Sequence, residues 1–124
     1  MIHNETEQKT IPPNVYIVIN SQVFPIKKSR VTIGRKLDND LVIHDNLVSR
    51  CHAEIRYEDK QFSLLDLDST GGTFLNNKKI KKSVLYSGDI ILLANVPIMF
   101  VDQRESLEKK SSETTGKLAD NNVE

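Results

Sequence analysis

Three short polar segments of this 124-residue chain combine the residue types that bind an oxyanion. They are Gly34-Arg35, then Ser49-Arg50-Cys51-His52, and then the run 69–73, which Asn76 follows. Hydroxyl, amide and guanidinium side chains stand beside glycines here, so side-chain donors and backbone N–H groups can converge on one anion. The pattern predicts a binding pocket built from loops, and such a pocket does not require catalysis.

These segments lie between short apolar runs that have the composition of β-strands. Each run is rich in β-branched, aromatic or leucine residues, and turn-forming residues separate it from the next run. None of them shows an apolar stripe with the period of a helix. The spacing predicts an all-β fold of the β-sandwich type. The predicted strands are 15–19, 23–26, 31–33, 41–43, 53–57, 62–65, 90–93 and 96–101.

The apolar runs occupy the middle of the chain, and its two ends are polar without periodicity. A hydrophobic content of 38% supplies one core of ordinary size and leaves no material for a second domain. We expect one domain over residues 14–102, a disordered N-terminal tail over 1–13 and a disordered polar C-terminal tail over 103–124.

Charge and cysteine content argue against several classes of function. Lys+Arg and Asp+Glu both number 17, so the net charge gives no reason to expect binding to nucleic acid or an anionic membrane. Cys51 is the single cysteine, which excludes an internal disulfide, and no second cysteine stands near a histidine at metal-ligand spacing. No stretch approaches the roughly 20 apolar residues of a membrane span. We expect a cytoplasmic protein that uses no metal or cofactor.

The chain resembles the forkhead-associated domain in three motifs taken in order. They are Gly34-Arg35, Ser49-Arg50-x-His52, and Ser69-Thr70-x-Gly72-Thr73 with Asn76. The resemblance covers about residues 14–102. It implies a sandwich of two twisted, mainly antiparallel sheets, whose loops at one end bind phosphothreonine in an extended peptide. It also implies an adaptor or signalling module without catalytic activity, whose partner is a phosphothreonine-containing protein or peptide.

By resemblance, Arg35, Ser49 and Thr70 contact the phosphate. A phosphothreonine carries about −1.5 to −2 charges and three acceptor oxygens, so its pocket needs a fixed cation and several neutral donors. A guanidinium suits paired phosphate oxygens better than a lysine does. Arg50 would contact the peptide or brace its loop, and Asn76 would support a loop or touch the peptide backbone.

Three further residues are expected to support the site. Gly34 would let the backbone turn tightly before Arg35. His52 would hold the binding loops together by hydrogen bonds, as the family's histidine does. Gly72 would fit the turn that precedes the next strand.

Gly71 departs from the family pattern. The family usually has an asparagine here, whose side-chain amide grips the backbone of the bound peptide. Gly71 would line the peptide groove without that side chain, and losing one neutral hydrogen bond costs about 0.5–1.5 kcal/mol, roughly two- to tenfold in affinity. The departure predicts weakened rather than abolished binding. Leu47 would favour an apolar residue of the peptide.

Other classes of function compete with this interpretation. A hydrolase triad would need residue types that Ser49, His52 and Asp66 supply, but no nucleophile elbow surrounds Ser49. The basic run 78–82 lacks the aromatics of a nucleic-acid reader and predicts a solvated hairpin. A forkhead-associated-like scaffold could instead bind an unphosphorylated partner through a sheet face, the pocket being vestigial because of Gly71.

The C-terminal tail carries a separate hypothesis. Glu113-Thr114-Thr115-Gly116 resembles the acidic double-threonine sites in the tails of some small bacterial members of the family. In those members the phosphorylated tail folds back onto its own pocket and switches partner binding off. Thr114 and Thr115 are therefore candidate phosphorylation sites, and an inert tail is the alternative.

Overall fold

The computed structural model describes residues 10–104, so Thr114 and Thr115 lie outside the described residues. Within the described range the chain forms eleven β-strands. No helix between residues 10 and 104 has the length and apolar character needed to cross a membrane. The strands are β1 Val15–Ile19, β2 Gln22–Pro25, β3 Arg30–Gly34, β4 Leu41–Val42, β5 Ala53–Glu58, β6 Gln61–Asp66, β7 Thr73–Leu75, β8 Lys78–Ile80, β9 Lys82–Val84, β10 Ile90–Leu93 and β11 Val96–Asp102.

The strands form a six-stranded and a five-stranded sheet. The first has the order β2-β1-β11-β10-β7-β8, and the second has the order β4-β3-β5-β6-β9. Neighbouring strands run antiparallel except β3 and β4, which are parallel. The predicted fold class, an all-β sandwich of two mainly antiparallel sheets, is confirmed.

Successive side chains of a strand point to opposite faces of its sheet, so every second residue enters the core between the two sheets. In β1, Val15, Ile17 and Ile19 are buried, while the two residues between them are partly exposed. In the core, Phe62 from one sheet packs against Phe100 from the other, and their ring centroids are 5.4 Å apart. Buried apolar area of this kind contributes about 25 cal/mol per Å² and fixes the register of each strand.

Eight of the strands lie where the apolar runs predicted them, within one or two residues. The sequence did not predict β7, β8 and β9 as separate strands, although it predicted a strand start at Thr73 and a hairpin over 78–82. The outer residues of β8 and β9 are mostly exposed lysines, which lack strand propensity. Their pairing follows from neighbours instead: β8 hydrogen-bonds to β7, and β9 to β6.

Backbone hydrogen bonds tie four connections together at one end of the sandwich. The N–H of Arg35, after β3, donates to the carbonyl of Ser49 before β5 at 3.0 Å. The N–H of Leu67, after β6, donates to the carbonyl of His52 at 2.9 Å. The N–H of Ala94, after β10, donates to the carbonyl of Gly72 at 3.1 Å. The predicted polar segments therefore meet at this end.

Candidate functional site

A depression of about 480 Å³ lies where these connections meet. Arg35 is the one charged side chain among its lining residues in the described part of the chain. The rest are hydroxyl, amide or apolar, so an anion would find a single cation surrounded by neutral donors. The lining residues are Arg35, Asn46, Leu47, Val48, Ser49, Thr70, Gly71, Phe74, Ala94 and Asn95.

The Arg35 guanidinium is held in place without being neutralised. Its Nε donates to the carbonyl of Val48 at 3.0 Å, which uses one of its five N–H groups. Neither an ion pair nor a second side-chain hydrogen bond of Arg35 is found between residues 10 and 104. The other four N–H groups therefore remain to bind an anion in the bidentate geometry that suits phosphate.

Ser49 and Thr70 come together across two loops. The N–H of Thr70 donates to Ser49 Oγ at 3.0 Å. This bond occupies an acceptor position of the hydroxyl, so the O–H of Ser49 can donate to an anion. The side chain of Thr70 is exposed and makes no hydrogen bond to another described residue. Two hydroxyl donors are thus available beside the guanidinium.

His52 joins the same two loops from beneath. It is fully buried, its Nδ1 accepts from the N–H of Ser49 at 3.0 Å, and its Nε2 lies 2.9 Å from the carbonyl of Gly72. A backbone N–H always donates and a carbonyl always accepts, so these partners require a neutral imidazole with its hydrogen on Nε2. The ring lies under the depression rather than lining it, which agrees with a supporting role.

Asp66, at the end of β6, fastens the loop that carries Thr70. Its carboxylate accepts hydrogen bonds from the N–H and the hydroxyl of Ser69. It also accepts one from the hydroxyl of Thr73, with 2.6 Å between Thr73 Oγ1 and Asp66 Oδ1. Burial acts to raise the pKa of Asp66, but these hydrogen bonds outweigh it and hold the pKa below its usual value of 3.8. The ionised form therefore stabilises the loop.

Two glycines are required by their surroundings. A Cβ on Gly34 would lie 2.2 Å from the carbonyl oxygen of Arg50, far inside contact distance. Gly72 has a φ of +87°, a backbone conformation that residues with a side chain rarely adopt. Gly34 is thus required by close packing and Gly72 by its backbone conformation, and their support of the binding site stays a prediction.

The structure brings Arg35, Ser49, Thr70 and Gly71 into one depression. Arg50 does not line it: the side chain is exposed, and the carbonyl accepts from the N–H of Lys36 and from the amide of Asn39. These contacts use the backbone of Arg50, so they favour neither of the two roles predicted for its side chain.

Asn76 also stays outside the depression, at the far end of β7. Its Nδ2 donates to Asp89 Oδ1 at 2.9 Å, and its Oδ1 accepts from the N–H of Ile90 at 2.9 Å. Both polar atoms of the side chain are therefore engaged in fastening the β7–β8 hairpin to the start of β10. Of its two predicted roles, the geometry favours loop support over contact with a peptide.

Sequence reasoning did not identify Asn46, Phe74, Ala94 or Asn95 as lining residues. No local motif marks them. Asn95 was predicted only as a turn residue, and it reaches the depression because β10 and β11 pair in the sheet that carries β7.

The hypothetical hydrolase triad is not assembled. His52 Nδ1 bonds to the backbone of Ser49 rather than to its hydroxyl, and Asp66 bonds to Ser69 and Thr73 rather than to the imidazole. A serine nucleophile needs its hydroxyl on the base and the base on an acid, and neither link is present here. Between residues 10 and 104, no three side chains of His, Cys, Asp or Glu form a group that could hold a metal ion.

The FHA domain model matches the chain over residues 31–94, which includes Arg35, Ser49, His52 and Thr70. The chain belongs to the forkhead-associated (FHA) domain family. The FHA fold is also found in a solved chain from a structural and functional analysis of phosphothreonine-dependent FHA domain interactions. That chain is 31% identical, with a TM-score of 0.67, and the alignment covers 71% of this chain and 95% of the other.

Relatives of this FHA domain include two bacterial regulators. The chain is 32% identical to the glycogen accumulation regulator GarA of Mycobacterium tuberculosis, over 63% of this chain and 48% of that protein. It is 33% identical to the oxoglutarate dehydrogenase inhibitor of Corynebacterium diphtheriae, over 64% of this chain and 55% of that protein. The chain therefore spans about half the length of the curated relatives it matches.

Proposed function

We propose that this FHA domain is a phosphothreonine-binding adaptor without catalytic activity. The observation that carries the proposal is the un-neutralised guanidinium of Arg35, anchored by the Val48 carbonyl and flanked by the hydroxyls of Ser49 and Thr70. A phosphate dianion needs one fixed cation and several neutral donors, which this set provides. Membership of a family with phosphothreonine-dependent interactions supports the same assignment.

In this proposal Arg35, Ser49 and Thr70 contact the phosphate, and Gly71 lines the groove for the flanking peptide. Asn76 keeps its loop in position instead of meeting the peptide, as its hydrogen bonds indicate, and the exposed side chain of Arg50 is available to the flanking peptide. Binding then consists of charge-assisted hydrogen bonds from loops that His52 and Asp66 already hold in place.

The partner in this proposal is a phosphothreonine-containing protein of the cytoplasm, and the activity is regulatory rather than enzymatic. Two relatives are named as regulators or inhibitors, which supports a regulatory role. The partner of either relative is not transferred to this chain. The exposed free thiol of Cys51 fits a reducing compartment.

We extend the proposal to Thr114 and Thr115 as phosphorylation sites whose modified form occupies the chain's own pocket. Mass spectrometry after treatment with a threonine kinase, followed by titration with a phosphothreonine peptide, tests this. Phosphate at either threonine with a lower affinity for the added peptide supports the switch. Phosphate at either position with unchanged affinity contradicts it.

The test of the main proposal compares a phosphothreonine peptide with its unphosphorylated and phosphoserine twins by isothermal titration. We expect no binding of the unphosphorylated twin. We expect weaker binding of the phosphoserine twin, because it lacks the methyl group that an apolar part of the pocket would accept. Equal affinity for all three peptides contradicts the proposal.

One observation favours a second function, in which the outer face of the six-stranded sheet binds an unphosphorylated partner. Val23, Val18, Met99 and Ile90 are directly opposite one another on four adjacent strands and form an apolar row on the solvent side. Three of the four are well exposed, at 58%, 38% and 38% for Val23, Met99 and Ile90. Exposed apolar rows of this kind are typical of interaction surfaces.

The two functions are separated by one pair of variants. Val18→Lys should abolish binding that uses the sheet face and leave phosphopeptide binding intact. Arg35→Ala should do the reverse. If neither variant changes binding to a captured partner, the partner uses a surface outside both proposals.

A further inference from the structure

Position 71 is crowded, so a side chain there would require its neighbours to shift by a few tenths of an ångström. A Cβ on Gly71 would lie 3.0 Å from the Cβ of Ala94 and 3.2 Å from the carbonyl oxygen of Leu47. Both distances are shorter than ordinary contacts between carbon atoms, or between carbon and oxygen. The turn between β10 and β11 therefore occupies the space beside Gly71, and a larger residue would need that turn to move.

The same turn presents a carboxamide to the depression. Asn95 follows Ala94, is exposed, and lines the depression together with Gly71 and Thr70. The side chains of Asn39 and Asn76 are held by hydrogen bonds of 2.8–2.9 Å, whereas that of Asn95 makes none within residues 10–104. Its amide is therefore free to bind a ligand.

Asn95 also lies at the junction of two depressions. A second one, of about 460 Å³, continues from it along the β1–β2 turn and past β4, and Asn95 is the lining residue that the two share. An extended peptide whose phosphate sits by Arg35 would pass this point on leaving the pocket in that direction. Its backbone N–H and C=O groups lose water there and need partners.

We propose that the carboxamide of Asn95 binds the backbone of the phosphothreonine peptide, in place of the side chain that Gly71 lacks. A carboxamide both donates and accepts, so it can pair with an N–H and a C=O of an extended chain without reading the peptide sequence. This inference rests on the proposed phosphothreonine binding. It adds a residue that the sequence motifs do not contain, on a different connection.

The first test compares Asn95→Ala with wild type, using the phosphothreonine peptide that wild type selects from a degenerate library. We expect about two- to tenfold weaker binding, the effect of losing one or two neutral hydrogen bonds. Asn95→Asp should lose more, because its carboxylate cannot donate and repels the phosphate. Gln61→Ala is the control, since Gln61 carries an exposed carboxamide at the start of β6 and lines neither depression. We expect it to change affinity less than twofold.

The second test identifies the backbone contact itself. Peptides in which one amide at a time is replaced by an ester lack a single N–H donor. In wild type one such ester should weaken binding, and in Asn95→Ala the same ester should have no further effect. A side chain that only stabilised the turn would leave the two losses additive.

The outcomes separate this inference from the proposed function. If wild type binds the phosphothreonine peptide but Asn95→Ala binds it equally well, or if Gln61→Ala weakens binding as much as Asn95→Ala does, the role of Asn95 is refuted and phosphothreonine binding stands. If wild type shows no preference for the phosphorylated peptide, the proposed function fails and this inference fails with it.

Discussion

Replacing His52 should separate the two loops that form the pocket. His52→Ala removes two hydrogen bonds, to the N–H of Ser49 and the carbonyl of Gly72, and leaves a void at a fully buried position. Each lost bond with its unpaired partner costs about 1–3 kcal/mol, so we expect a loss of about 2–6 kcal/mol in the free energy of unfolding. In a domain of this size that lowers Tm by about 10–30 °C.

Two milder substitutions of His52 each remove one of its two hydrogen bonds and keep the other. The Oδ1 of an asparagine is as many bonds from Cα as the Nδ1 of histidine, so His52→Asn can keep the bond to Ser49. The Nε2 of a glutamine matches the Nε2 of histidine, so His52→Gln can keep the bond to Gly72. Each should cost about half of what His52→Ala costs, near 1–3 kcal/mol.

Urea denaturation measures the stabilities, and amide hydrogen exchange by NMR measures the Ser49 N–H directly. Protection of Ser49 should persist in His52→Asn and fall in His52→Gln and His52→Ala. Wild-type stability in His52→Ala would show that this side chain does not hold the two loops together. An equal exchange rate of the Ser49 amide in all three variants would lead to the same conclusion.

Three further changes give expected outcomes. The stability that Asp66 supplies is present above its ordinary pKa of 3.8 in the unfolded chain and is lost as the pH falls through its lower folded pKa. Asp66→Asn should therefore cost about 1–3 kcal/mol at pH 7 and flatten the acid limb of a stability-against-pH curve. Gly34→Ala should lower stability by about 1–3 kcal/mol in urea denaturation, because its Cβ would meet the carbonyl of Arg50; an unchanged midpoint would contradict this close approach. Gly71→Asn alone should not improve phosphopeptide affinity, whereas Gly71→Asn combined with Ala94→Gly should, because the second change removes the nearest clash and Ala94 has a φ of +57°. A gain in affinity from Gly71→Asn alone would show that position 71 is not crowded.

The sequence predicted the fold because the alternation of apolar residues and the positions of the turn-forming residues both indicate short strands. β1 alternates between buried and partly exposed residues along five positions, and its apolar run ends in the turn formers Asn20 and Ser21. Both turn residues have positive φ, which short polar side chains tolerate better than bulky ones do. The limits 14–102 and the two tails stay predictions, as does the modification of Thr114 and Thr115.

The sequence also predicted the residues whose chemistry is local. Arg35, Ser49 and Thr70 stand in short motifs that resemble those of the FHA family, so the sequence could propose them as phosphate contacts. Asn95 carries no such motif, because its place in the pocket depends on how β10 and β11 pair with the rest of the sheet. Asn76 shows the opposite case: its type suited peptide contact, but its bonds to Asp89 and Ile90 could be read only from the folded chain.

Phosphothreonine binding through Arg35 is tested by a titration of wild type and Arg35→Ala with a phosphothreonine peptide library and its unphosphorylated twin. Arg35 has four N–H groups free for phosphate, and two charge-assisted bonds are worth about 3 kcal/mol or more together. We predict phosphate-dependent binding by wild type and a loss of about a hundredfold or more in Arg35→Ala. Binding that ignores the phosphate, or that survives Arg35→Ala unchanged, would contradict the claim that this pocket binds phosphothreonine.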